Sequence, residues 1–166
     1  MKPTTSFRYL LLAACGFVGV SCAKNDDGAD PADLLAGTRW QASLIDENPA
    51  SNPPGEFRYA GNHDFNTKHQ YYPWQECQRD DTFAFKNGKM AVDNNGTPCL
   101  NELDLIFEFA NQPYVYDEEA KKLTVGVGED SVTFDVYELN KSRFKMGLTV
   151  PTAGGFKYVV FLFKSR

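Results

Sequence analysis

The sequence predicts an all-β fold, a single antiparallel up-and-down barrel of eight to nine strands with one long loop insertion. Three observations support this prediction. From Gly37 onward, apolar and polar residues alternate with a period of two, as in half-buried strands. The connections between the alternating segments are short and rich in Gly and Asn. No long segment repeats at the helical period, and closing a meander into a barrel pairs its edge strands.

Each alternating segment is a predicted strand. The segments are 38–46, 82–86, 89–93, 103–109, 113–117, 122–127, 131–139, 143–150 and 156–164. Before them, residues 31–35 are predicted to form one helical turn that caps an end of the barrel.

The first hairpin is predicted in detail. Asn87-Gly88 is typical of a two-residue type I′ turn. In such a hairpin, the residue numbers of each opposed pair add up to the same total as the residue numbers of the two turn residues. This register pairs Phe83 with Val92 and Phe85 with Met90. One face of the hairpin is then apolar.

The last two strands differ in their pattern. In segment 143–150, Phe144 and Met146 lie on an apolar face, and Lys145 lies on the opposite, polar face. The last strand is apolar on both faces, with Val160 and Leu162 on one and three further apolar residues on the other. Its outer face therefore needs a cover.

Residues 47–76 are too long for an ordinary strand connection. The segment holds four prolines and six aromatic residues. One interpretation is a lid or platform at the barrel mouth, where Tyr71, Tyr72 and Trp74 stack on a flat ligand. The other, which we favour slightly, is that these aromatic residues cover the outer face of the last strand.

The N-terminus carries a predicted lipoprotein signal peptide over residues 1–21. Lys2 and Arg8 precede an apolar stretch of about twelve residues, too short to span a bilayer. Cys22 is the predicted lipidation site. Cys15 fits the usual lipobox better, but its use would leave apolar residues in the mature chain. A non-lipidated secretory peptide is the remaining alternative.

Residues 22–36 are predicted to be a lipidated acidic tether, which precedes a barrel domain over residues 37–166. Lys24, Asp26 and Asp27 resemble the export tether of Bacteroidetes lipoproteins that reach the outer face of the outer membrane. This resemblance implies a cell-surface outer-membrane lipoprotein whose folded domain lies outside the cytoplasm.

Cysteine usage agrees with an oxidising compartment. Once Cys15 is removed and Cys22 is lipidated, Cys77 and Cys99 are the only pair left. We predict that they form a structural disulfide, because no Cys-x-x-Cys motif is present.

Several function classes lack support in the sequence. The net charge of −5 and the scattered basic residues argue against nucleic acid as a partner. No common hydrolase or phosphate-binding motif occurs, so we expect no enzymatic activity and no cofactor. His63, Asp64 and His69 match no common zinc spacing, so no metal site is predicted.

The chain resembles the lipocalin-like domains common in Bacteroidetes lipoproteins. The resemblance lies in segment 35–40, in segment 77–88 with its Asn-Gly turn, in Cys99 and in the late strands such as 133–139. It covers residues 35–166 and implies a calycin-type barrel without an assigned ligand.

Three hypotheses about function follow. The first is a surface module that binds a small apolar or sugar-like ligand at the barrel mouth. The second is a protein-interaction or inhibitor module with a filled barrel, and the third, an enzyme, ranks last.

Replacing Cys22 with Ala should abolish lipidation. We expect the variant to move from the detergent phase to the aqueous phase on partitioning, because the lipid is the predicted membrane anchor. Cys15→Ala is the matched control and should stay in the detergent phase. The opposite result would assign the lipid to Cys15.

Overall fold

The structure is a computed structural model that describes residues 29–59, 68–94, 109–153 and 155–166. The predicted signal peptide, Cys22, Lys24, Asp26, Asp27, His63, Asp64 and Cys99 lie outside the described residues.

Within the described ranges, ten strands and one helix make up the regular structure. The helix α1 spans Pro31–Gly37, and the strands are β1 Arg39–Ala42, β2 Arg58–Tyr59, β3 His69–Tyr71, β4 Thr82–Lys86, β5 Lys89–Asp93, β6 Tyr114–Asp117, β7 Lys122–Val125, β8 Val132–Leu139, β9 Arg143–Thr152 and β10 Gly155–Ser165. Short 3-10 turns lie at Pro49–Ser51, Glu76–Gln78 and Gly128–Asp130.

Eight strands form one antiparallel sheet that nearly closes into a barrel, as predicted. Their order is β5-β4-β1-β10-β9-β8-β7-β6. Between the two outermost strands, Met90 N donates to Gln112 O at 2.9 Å and Tyr114 N donates to Gly88 O at 3.0 Å. These bonds bring β5 and β6 together.

The register of the first hairpin is confirmed. Phe83 pairs with Val92 and Phe85 pairs with Met90. The two turn residues, Asn87 and Gly88, have positive φ values of 53° and 71°, as a type I′ turn requires.

The N-terminal helix is longer than the predicted turn. Asp30 caps it by accepting from Ala32 N at 2.8 Å, and Pro31 occupies its first turn. Leu35 is fully buried in the core. The folded part of the chain therefore includes residues that the sequence assigned to the tether.

Two predicted strands differ from the structure. Strand β1 ends at Ala42 rather than at Asp46, because Ser43 Oγ accepts from Ile45 N and turns the chain away from the sheet. Of the predicted strand 103–109, only Phe109 is described, and it lies in a 3-10 turn.

Aromatic side chains fill the interior of the barrel. Rings pack at 5 to 6 Å between centroids, for example Trp40 with Phe144 at 5.4 Å and Phe83 with Phe163 at 5.3 Å. The interior residues are Trp40, Trp74, Phe83, Phe85, Phe134, Phe144, Phe161 and Phe163, with Met90, Leu123, Val125 and Met146.

The outer face of β10 is covered by the long loop insertion. Strand β3 pairs with β10 in parallel, and Tyr71 packs with Val160 and Leu162 in a second buried cluster. Phe57 packs against the same cluster. The covering interpretation is therefore confirmed for Tyr71, whereas Tyr72 and Trp74 pack with the interior core.

The glycine at position 147 of β9 permits close packing on this face. A Cβ atom there would lie 2.8 Å from Val159 O and 3.0 Å from the Tyr137 ring. Tyr137 thereby reaches across β9 to the cluster that covers β10.

Replacing Gly147 with Ala should lower the free energy of unfolding by about 1–3 kcal/mol, because the backbone of β10 leaves no room for the methyl group. Chemical denaturation measures this change. Gly37→Ala is the control, since nothing lies within 4 Å of its Cβ position. Equal stability of the two variants would show that the close contact has no energetic effect.

Candidate functional site

The segment that follows β3 crosses from the outside of the barrel to its interior. Tyr71 faces the outer cluster, while Trp74 packs on Phe83 and Phe163 at ring distances of 5.6 and 5.4 Å. Between them, Tyr72 N donates to Val160 O at 2.7 Å, so the crossing point is fixed to β10.

An aromatic pocket opens at this crossing. Its volume is about 260 Å³. The lining residues are Ser43, Leu44, Tyr59, Tyr71, Tyr72, Pro73, Trp74 and Arg79. All three predicted ligand-binding residues therefore line one pocket. Among the residues that the structure describes, its lining contains one cation, Arg79, and no carboxylate.

The aromatic rings of this pocket are held in place. Tyr59 stacks on Tyr71 at 4.5 Å, with 28° between the ring planes. Tyr72 stacks on Phe161 at 4.6 Å and meets Trp74 edge to face at 4.8 Å. Tyr59 is 59% exposed, so much of its ring faces solvent.

The 3-10 turn Glu76–Gln78 positions the arginine. Gln75 N donates to Gln78 Oε1 at 2.7 Å, and Gln41 Nε2 donates to Arg79 O at 2.8 Å. The exposed side chain of Arg79 therefore projects from a backbone that these two hydrogen bonds hold in place. Cys77 lies in the same turn. Because Cys99 lies outside the described residues, their disulfide stays a prediction.

A buried lysine lies behind the pocket, on the outer face of β9. Lys145 lies on the face opposite Phe144 and Met146, as the strand pattern predicted, but it is only 3% exposed, and its burial was not predicted. Its Nζ donates to Asp46 Oδ1 at 2.7 Å, Asn48 O at 2.8 Å, Ser51 Oγ at 2.9 Å and Asn52 Oδ1 at 2.9 Å.

The acceptors of Lys145 lie on residues 46–57, which we call the strap. Asp46 links the strap to the pocket, because its Oδ2 accepts from Asn52 Nδ2 at 2.9 Å and from Tyr71 OH at 2.7 Å. We use the name Lys145 network for Lys145, for the residues that accept its hydrogen bonds (Asp46, Asn48, Ser51 and Asn52) and for Tyr71.

The Lys145 network shifts the ionisation of its members. Burial alone would raise the pKa of Asp46, but hydrogen bonds from Lys145, Tyr71, Asn48 and Asn52 outweigh it and hold that pKa below its ordinary value. Burial and the Asp46 carboxylate raise the pKa of Tyr71. Asp46 and Lys145 therefore form an ion pair.

Sequence reasoning missed Tyr59, Arg79 and the Lys145 network. The aromatic run around Tyr71 pointed to the pocket, but Arg79 was included only as part of segment 77–88, which carries the resemblance to lipocalin-like domains. Lys145 had no local signal, since a lysine on the polar face of a strand normally faces water.

No metal centre or membrane-spanning helix is found in the described part of the chain. No three His, Cys, Asp or Glu residues with known placement come together, and His69 is the only described member of the His63, Asp64 and His69 group. No described helix is long and apolar enough to cross a bilayer.

Comparison with protein-family models, with curated proteins and with solved structures finds no match to this chain.

Replacing Lys145 with Met should destabilise the fold by about 3–5 kcal/mol, because Asp46 would remain buried without its partner. Thermal and chemical denaturation measure the loss. Lys89→Met, at an exposed position of β5, should change stability by less than about 0.5 kcal/mol. A similarly small effect at both positions would mean that the buried ion pair does not stabilise the strap.

Proposed function

We propose that this chain is a non-enzymatic surface lipoprotein that binds a small apolar or sugar-like ligand in the aromatic pocket. The observation that carries the proposal is the wall of that pocket: four aromatic rings beside one guanidinium group, at the edge of a barrel whose interior is filled. The ligand site that we propose therefore lies outside the barrel interior.

The shape of the pocket favours a ring. A flat apolar face, such as that of a pyranose or an aromatic ring, can stack on the exposed ring of Tyr59. Ser43 and Arg79 supply polar groups at the same opening. A volume of about 260 Å³ suits one ring rather than a long lipid chain.

The pocket is built before a ligand arrives. The Tyr71 hydroxyl donates to Asp46 Oδ2 and accepts from Asn52 Nδ2, and Tyr72 is held by Phe161 and the backbone of β10. Rings that are already ordered lose little conformational entropy on binding.

In this proposal, the N-terminal residues determine where the binding module is located. A lipid on Cys22 would anchor the chain, and the tether with Lys24, Asp26 and Asp27 would present the domain at the outer membrane. The pocket would then sample ligands outside the cytoplasm.

A protein-interaction module is the second candidate. Ile45 is 70% exposed and Leu44 is 45% exposed. Leu44 lines the pocket together with Tyr59, whose hydroxyl accepts from the backbone N of Asp46, the residue after Ile45, at 2.7 Å. Exposed apolar side chains that lie together favour contact with a protein surface. This patch and the filled barrel support the alternative.

A panel of monosaccharides, oligosaccharides and small aromatic compounds tests the first candidate by thermal shift and titration calorimetry. We expect at least one ring-containing ligand to bind. Tyr59→Ala should weaken its binding about tenfold, since it removes one stacking surface worth roughly 1 kcal/mol or more.

Phe156→Ala is the matched control, because Phe156 is an exposed aromatic residue that does not line the pocket. Its affinity should equal that of the wild type. If both variants weaken binding equally, the ligand does not occupy the aromatic pocket. If no member of the panel binds, the small-ligand proposal fails.

A further inference from the structure

The Lys145 network brings a nucleophile next to an amide. Lys145 Nζ lies 2.9 Å from Asn52 Oδ1, so the amide carbon Cγ of Asn52 is one bond beyond the contacted atom. The lysine is on β9 and the asparagine is on the strap, so these two groups come from distant parts of the sequence.

One carboxylate contacts both reacting groups. Asp46 Oδ1 accepts from Lys145 Nζ at 2.7 Å, and Asp46 Oδ2 accepts from Asn52 Nδ2 at 2.9 Å. The same side chain can therefore take a proton from the amine and give a proton to the amide nitrogen. This is the arrangement that general acid–base catalysis requires.

We propose that Lys145 and Asn52 form an intramolecular isopeptide bond, with Asp46 carrying the protons. Asp46 first takes one proton from the ammonium group, which leaves a neutral amine and a neutral carboxyl group. Nζ then attacks Cγ of Asn52. As the Nζ–Cγ bond forms, Asp46 delivers its proton to Nδ2 and takes a second proton from Nζ. The Cγ–Nδ2 bond breaks and ammonia leaves, so no oxidant or reductant is needed.

The burial of the network favours this reaction. The side chains of Lys145 and Asp46 are 3% and 4% exposed, so the proton moves inside a site that excludes most water. A poorly hydrated amine is the more effective nucleophile once it has lost its proton.

The geometry compensates for the stability of the ion pair. Lys145, Asn52 and Asp46 are already held together, so the step is intramolecular and needs no encounter. The bond has to form only once in the life of each molecule, so a slow reaction is sufficient. A pocket of about 240 Å³ borders both Asp46 and Lys145 and gives the released ammonia a path to solvent.

The product would join the strap covalently to β9. Strap and strand are already connected by four hydrogen bonds from Lys145, and the new amide would make that connection permanent. The inference does not depend on the proposed function, since it concerns the anchoring of the strap and not the ligand of the pocket.

Tryptic mapping of the full-length protein tests the proposal. Trypsin cleaves after Lys and Arg, so unlinked chains yield peptide 40–58 and the dipeptide 144–145. With Lys145 acylated, the cleavage after it is blocked. We expect peptide 40–58 joined to peptide 144–157, at their summed mass less one ammonia, with fragment ions that place the link at Asn52 and Lys145.

Two results would overturn the proposal. Recovery of the unlinked peptides alone shows that no bond forms. A linked pair that has lost water instead of ammonia places the bond on a carboxyl group of peptide 40–58, namely Asp46, Glu47 or Glu56, and overturns the assignment to Asn52.

Variants assign the roles of the three residues. Asn52→Ala should abolish the link, and Asp46→Ala should abolish it or slow it strongly. Asn48→Ala is the matched control, because Asn48 contacts Lys145 only through its main-chain oxygen, and it should keep the link. A link that persists in folded Asp46→Ala would remove Asp46 from the reaction. If that variant does not fold, the wild-type map still decides whether the bond exists.

Discussion

The apolar character of both faces of β10 is the constraint on which the rest of the structure depends. Its inner side chains, such as Phe161, join the aromatic interior, and its outer side chains, Val160 and Leu162, need a second cover. That cover comes from the long insertion, whose strand β3 adds to β10 in parallel. The barrel strands themselves are antiparallel neighbours in the sheet, so the insertion changes the topology only where an apolar face would otherwise meet water.

The Lys145 network allows a polar loop to serve as part of that cover. A strap rich in Pro, Asn and acidic residues has few apolar side chains to bury, and its polar groups need partners once water is excluded. The ammonium group of Lys145 supplies three donors, and Asp46 supplies the opposite charge. A buried ion pair of this kind is costly to break from one side, so the strap and β9 keep one relative arrangement.

The aromatic pocket is a consequence of the same packing. The chain has to pass from the outer cluster at Tyr71 to the interior at Trp74 within three residues, and this crossing leaves ring edges and faces open at the rim of the sheet. Tyr71 belongs to both the aromatic pocket and the Lys145 network, because its ring lines the pocket and its hydroxyl donates to Asp46. The strap, the cover of β10 and the pocket are therefore linked to one another through the contacts of Tyr71.

The sequence alone determined the all-β class, the up-and-down order, the register of the β4–β5 hairpin and the two-sided burial of β10. These features follow from local alternation and turn chemistry, which act between residues close in the chain. It also indicated Tyr71, Tyr72 and Trp74, although not that one ring would face outward and another inward. Only the tertiary structure decided that Lys145 is buried, that Arg79 borders the pocket and that Asp46 contacts Lys145. The contact between Asp46 and Lys145 joins residues nearly one hundred positions apart, and no local pattern encodes which distant loop will cover a given strand face.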